Sequence, residues 1–228
     1  MIDERLAWVR GAHDAIADRA HALSDAELAA PSLLPGWTRA HVLAHIARNA
    51  DGLRNLVNWA ETGVATAMYA SFESREADIE SSAAQQPAEL RADVMAADDA
   101  LLRALEDLDD DAAAVEVEAL RGGPFPARDL PFVRAREAWV HLVDLDAGVT
   151  FDDVPAGVRD QLLLEAVDRA PGRDLRHGFV LEEDGSDRSW ILGPEDPAVT
   201  IRGTQADLLG WLTGRVPPDD RPEPPDWP

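Results

Sequence analysis

Cysteine is absent from this chain of 228 residues, and so is lysine. The first absence removes disulfides, thiolate metal ligands and a cysteine nucleophile together, so any thiol chemistry must use a sulfur brought from outside. The second excludes Schiff-base catalysis and leaves arginine to supply all 21 basic charges. Positive charge is itself scarce: 44 acidic residues outweigh it and give a formal net charge of -23. Such a surface repels phosphate backbones and anionic lipid, so nucleic acid and membrane partners are not expected. A small anionic substrate would need a local group of arginines to overcome that field. No apolar run reaches the length of a membrane span, and Met1-Ile2-Asp3-Glu4-Arg5 leads straight into an amphipathic pattern. With no export signal visible, the expected compartment is the cytoplasm.

What remains is rich in alanine and in helical periodicity. Apolar residues at helical spacing predict a helix over Glu4–Leu23, followed by a capping box at Ser24-Asp25-Ala26-Glu27. Pro31-Ser32-Leu33-Leu34-Pro35-Gly36-Trp37 reads as a connector, and Thr38 as the N-cap of a second long helix from Arg39 to about Ala60. A short helix is expected over Ser71–Ser82, a third long one over Ala88–Leu108 with Pro87 at its start, and a fourth over Pro131–Asp146. Val115-Glu116-Val117 reads as a short strand. Four long helices suffice for a four-helix bundle occupying residues 1–148. After Gly148 the pattern changes. A helix over Val158–Ala170 precedes a hairpin of Phe179–Glu182 and Ser189–Leu192 with Asp184-Gly185 inside its loop, a strand over Ala198–Arg202, and a closing helix over Gln205–Thr213. The expected fold is thus α+β, with a small α/β domain over 149–215 and a loosely held proline-rich tail over 216–228.

The residues able to do chemistry lie on the second and fourth long helices. His41, His45 and Asn49 follow one another at i, i+4, i+8, and Glu137 and His141 are four apart, with Asp144 one turn further. Residues four apart share one helix face, so two facing helices could bring three donors to one divalent ion and leave a fourth position open. By spacing alone His41 and His45 are equal contenders. His141 is flanked by Trp139, Val140, Leu142 and Val143, and a polar ring and a carboxylate in such surroundings need each other or an ion. A buried Glu–His hydrogen bond would satisfy that need without a second histidine. The tryptophans Trp37, Trp59, Trp139, Trp190 and Trp211 read as packing residues, Arg54 and Arg75 as exposed, and His13, His21 and His177 as surface residues without a partner.

Leu34-Pro35-Gly36-Trp37-Thr38-Arg39-Ala40-His41-Val42-Leu43-Ala44-His45 resembles the opening motif of the mycothiol-dependent maleylpyruvate isomerases, and Arg136–Leu145 resembles their second motif. The resemblance continues through Pro197–Gly203 to Trp211-Leu212-Thr213-Gly214-Arg215, covering nearly the whole chain before the tail. It implies a DinB-like metal-binding bundle followed by a sterol-carrier-like α/β domain. It further implies zinc, or another divalent metal, held by His45, Glu137 and His141, with His41 a neighbour and Arg215 a catalytic arginine. The implied reaction is the mycothiol-assisted conversion of maleylpyruvate to fumarylpyruvate, and a protein without cysteine fits a borrowed thiol. Two other readings stay open at this stage: a mycothiol S-transferase acting on another electrophile, and a non-enzymatic protein whose metal is structural.

Overall fold

The structure, a computed structural model, describes residues 2–120, 123–170, 178–193, 197, 199–216 and 221–223. The chain divides into two compact units, Met1–Gly148 and Val149–Pro228. Four long helices build the first unit: α1 (Ile2–Ala22), α3 (Arg39–Thr62), α5 (Pro87–Asp107) and α7 (Leu130–Asp144). Between them lie the one-turn helix α2 (Asp25–Leu28), the three-turn helix α4 (Phe72–Ala83), the one-turn helix α6 (Asp110–Ala113), and a two-residue ladder of β1 (Glu116–Val117) with β2 (Phe125–Pro126). Helix α3 is central, packing on α5, α4 and α7, while α1 packs on α7 and α5.

Local chemistry sets the ends of these helices. Thr38 caps α3 by accepting from the His41 amide, and the αL conformation of Gly63 (φ 70°) stops it. Ser71 caps α4 and Asp109 caps α6, so the acidic run Asp109-Asp110-Asp111 ends one helix and starts another. The core is aliphatic: Leu43, Ile46, Leu53 and Leu56 of α3, Leu90, Val94 and Leu101 of α5, Val9 and Ile16 of α1, and Leu130 and Leu142 of α7 are all at most 2% exposed. Each such side chain contributes about 1.5–3 kcal/mol of burial. Among the described residues no helix is long and apolar enough to cross a membrane.

The second unit holds α8 (Ala156–Arg169), a three-stranded sheet of β3 (Phe179–Glu183), β4 (Ser189–Leu192) and β5 (Val199–Gly203), and α9 (Gln205–Leu212). Strand order is β4-β3-β5: the hairpin pairs Leu181 with Trp190, and β5 lies parallel to β3 with Ile201 beside Leu181. Alternation turns Phe179, Leu181 and Ile201 inward, where α9 places Trp211 edge-on to Phe179 at 5.3 Å. The indole of Trp211 also donates to the Pro222 carbonyl at 2.9 Å, so this part of the tail is docked rather than loose. Residues 217–220 and 224–228 of the expected tail, and His177, lie outside the described residues.

Candidate metal centre

The connector before α3 and the end of α7 are tied together. Leu33 donates its amide to the Asp144 carbonyl at 2.9 Å, and Arg39 donates to the carbonyls of Leu145 at 2.6 Å and Asp146 at 2.7 Å. The two motifs therefore meet in space: residues of the first hold the C-terminus of the helix that carries the second. Trp37, at the end of the connector, lies with its ring centroid 5.6 Å from that of His45. The two rings meet at a tilt of 58°, and Trp37 stacks on His41 with centroids 6.3 Å apart.

Inside this frame His45, Glu137 and His141 converge, their donor atoms all within 4.8 Å of one another. The His45 and His141 Nε2 atoms are 2.9 Å apart, and Glu137 Oε2 stands 3.6 Å from the first and 3.8 Å from the second. Ligands about 2.0–2.2 Å from a shared tetrahedral ion lie roughly 3.3–3.6 Å apart, so the three separations bracket what a metal requires. The donor set, two imidazoles and one carboxylate, suits a borderline divalent ion with one coordination position left over.

The surroundings of His141 and Glu137 sharpen this fit. His141 Nδ1 is 2.8 Å from Asp144 Oδ2, and Asp144 is fully buried. A carboxylate there fixes the ring proton on Nδ1 and turns the Nε2 lone pair inward, as metal-ligating histidines require. Asn49, one turn after His45, places its amide 3.5 Å from Glu137 Oε2, and Arg136 approaches Glu137 Oε1 at 3.3 Å. Burial pushes the pKa of His45 down to about 4, and the neighbouring His141 adds to the fall. That ring is therefore neutral near pH 7, the form able to ligate. Burial alone would raise Glu137, but the hydrogen bond with His45 and the charges of His141 and Arg136 outweigh it and hold this carboxyl well below its usual range.

Beyond the centre, several sequence expectations change. His41 is not in the cluster: its Nδ1 accepts from the Thr38 amide at 3.2 Å, completing the cap of α3, and its Nε2 faces Glu80 at 3.3 Å. Arg75, expected to be exposed, has a side chain only 18% exposed and places Nη2 3.0 Å from His45 Nδ1. His13, expected to lack a partner, bonds Asp98 at 2.8 Å. Asp98 in turn pairs with the buried Arg134 at 2.6 Å, which donates to Asn49 Oδ1 at 2.8 Å and the Ile46 carbonyl at 3.0 Å. This second polar cluster went unread because its partners are far apart in sequence; the one signal was Arg134 among apolar neighbours on α7. His21 is exposed as expected, and Trp139 is packed, its indole donating to the Trp8 carbonyl at 3.2 Å. Arg215, in the second unit, donates to the Thr213 carbonyl at 3.0 Å.

Fold and site together define a helical-bundle protein with a His/Glu/His centre of metal-binding type, followed by a small sheet-containing unit. The family model of the mycothiol maleylpyruvate isomerase N-terminal domain matches residues 9–146, and that of the MDMPI C-terminal domain matches residues 153–225. Two solved structures are similar over 100% of this chain and 97% of theirs at 32% identity: a mycothiol-dependent maleylpyruvate isomerase, TM-score 0.94, and a variant of such an enzyme with one histidine replaced by alanine, TM-score 0.93. No curated protein matches the chain in sequence. The chain belongs to the mycothiol maleylpyruvate isomerase family.

Proposed function

We propose that this protein is a mycothiol-using cis–trans isomerase that converts maleylpyruvate to fumarylpyruvate, with a divalent metal, zinc by preference, held by His45, Glu137 and His141. The observation that carries the reading is the convergence of those three donors within 4.8 Å, in a chain whose solved relatives at 32% identity are mycothiol-dependent maleylpyruvate isomerases. The metal, when bound, would act as a Lewis acid that lowers a thiol pKa or polarises a substrate oxygen.

The chain's own residues do the remaining work. Asp144 holds His141 in the ligating tautomer, and Asn49 with Arg136 holds the Glu137 carboxylate. Trp37 packs its ring at a tilt beside that of His45, 5.6 Å between centroids. Isomerisation requires a transient loss of the double bond: thiolate addition gives an enolate with a single bond that rotates, and collapse of the enolate expels the thiolate and restores the alkene as trans. With no cysteine in the chain, the thiolate comes from mycothiol. Arg215 is proposed as the arginine that stabilises the enolate charge built up by addition. Its expected signature is loss of turnover in Arg215→Met with metal binding intact.

The deciding experiment is conversion of maleylpyruvate by the full chain, with and without mycothiol, before and after chelation. Turnover that needs both thiol and metal is expected. Conjugation of another electrophile without isomerisation would replace this reading by an S-transferase. Full turnover after removal of the metal would sink the role of the centre.

A further inference from the structure

One cation reaches the three-donor centre through the outer edge of a ligand. Arg75, one turn into α4, points Nη2 at His45 Nδ1, 3.0 Å away, and its guanidinium carbon lies 5.8 Å from the centroid of the Tyr69 ring. The Tyr69 ring in turn rests on a turn of α3 bare of side chain. A Cβ at Gly52 would come within 2.8 Å of Met68 and 3.0 Å of the Tyr69 ring. Glycine at this position thus admits Tyr69, and Tyr69 plates Arg75 beside the centre.

The chemistry of the contact with His45 is restrictive. A guanidinium only donates, so His45 Nδ1 has to accept, which puts that ring's proton on Nε2. Ligation through Nε2 demands the opposite tautomer, with the proton on Nδ1. Metal ligation by His45 and its hydrogen bond from Arg75 therefore exclude each other. When His45 ligates, Arg75 keeps the Tyr69 hydroxyl and Glu76 as partners, while its Nη2 edge faces an Nδ1–H donor, a position that an added anion would relieve. Its Nη1 is committed to Glu76, a residue with 42% side-chain exposure. A carboxylate offers two oxygens that match a guanidinium edge.

The nearby cations have other tasks. Arg136 approaches Glu137, and Arg48 is held by Asp51, Asp93 and Ser82. An anionic substrate entering a protein of net charge -23 needs a local positive group. We propose that Arg75 anchors a carboxylate of the substrate beside His45, Glu137 and His141. This rests on the proposed reaction, whose substrate carries two carboxylates. It assigns the site a preference for small carboxylates over neutral alkenes of the same shape.

The test uses the metal-loaded full chain with Arg75→Met and Arg75→Lys. In Arg75→Met the KM for maleylpyruvate at saturating mycothiol is expected to rise about 10- to 100-fold, the loss of one charge-assisted pair. The KM for mycothiol stays unchanged, and zinc is bound at least as tightly in competition with a chelator. Arg75→Lys recovers part of the maleylpyruvate affinity. Calorimetric titration with maleate, a cis-dicarboxylate that needs no turnover to be measured, shows the same weakening. Loss of zinc from Arg75→Met would overturn the proposal by making Arg75 a support of His45, as would an unchanged KM and unchanged maleate affinity. Absence of maleylpyruvate turnover in the wild type would refute the reaction instead, and the maleate titration would still decide the role of Arg75.

Discussion

Two buried polar clusters share helices α3 and α7, and they follow opposite rules. Around Asp98 and Arg134, donors meet acceptors: both Asp98 oxygens are engaged, by His13 and Arg134, and Arg134 also reaches Asn49 Oδ1 and the Ile46 carbonyl. Around His45, Glu137 and His141, three potential ligand atoms crowd together: the two imidazole Nε2 atoms are 2.9 Å apart, and Glu137 Oε2 lies 3.6 Å from the first and 3.8 Å from the second. The first arrangement is closed by the chain itself. The second gathers two imidazoles and a carboxylate as a metal ion would require. Asn49 touches both, facing Arg134 with its oxygen and Glu137 with its nitrogen, so the closed cluster steadies the open one. The comparison separates burial for rigidity from burial for chemistry.

The largest expected effect comes from breaking the closed cluster. Arg134→Met leaves the Asp98 carboxylate buried at 2% exposure and without its main partner. Burial works against that carboxylate, and only the Arg134 charge with the His13 hydrogen bond keeps its pKa low. Urea unfolding should show a loss of about 3–5 kcal/mol, the usual cost of stranding one partner of a buried pair. The double change Asp98→Leu with Arg134→Met should recover most of it. A single change costing under 1 kcal/mol would mean the pair is not the structural tie described above.

The open cluster should respond to metal instead. Zinc at a hundredfold excess over its Kd should stabilise the protein by about 2.7 kcal/mol, read as a rise in Tm, and His45→Ala should abolish that rise. An undiminished response in His45→Ala would remove His45 from the ligand set. A smaller effect is expected from Asp144→Asn, which keeps the shape beside His141 but weakens the hold on its tautomer. Metal affinity should fall about 10- to 100-fold in chelator competition, with unfolding of the apo protein little changed. Equal affinity in the variant would reduce Asp144 to a packing residue.

Much of this was legible in the sequence, for local reasons. The four long helices followed from periodicity and caps, and Glu137 with His141 from a four-residue spacing on a helix rich in apolar residues. Spacing could not rank His45 against His41. That depends on His41 being the third residue of its helix, where its ring is drawn back to cap Thr38, while His45 sits one turn deeper against α7. The burial of Arg75 is not encoded in α4, which is weakly amphipathic; it comes from the approach of Tyr69 and His45. The Asp98 network joins residues 36 and 85 positions apart, which no local pattern encodes.

The smallest and most discriminating effect lies at the edge of the closed cluster. Its hydrogen bond to Asp98 raises the pKa of His13 above the ordinary value of 6.5, against the opposing pull of burial. Between the two values the folded protein holds a proton that the unfolded chain has released. The stabilisation is therefore fully present below pH 6.5 and is lost as the pH rises through the raised value. His13→Gln should cost about 1 kcal/mol more at pH 6 than at pH 9 in paired urea titrations. The metal response should stay the same, because Arg134 and Asn49 stand between His13 and the centre. A pH-independent cost would show that His13 packs against Asp98 without sharing charge, and a changed zinc affinity would show that the two clusters are coupled more tightly than their hydrogen bonds require.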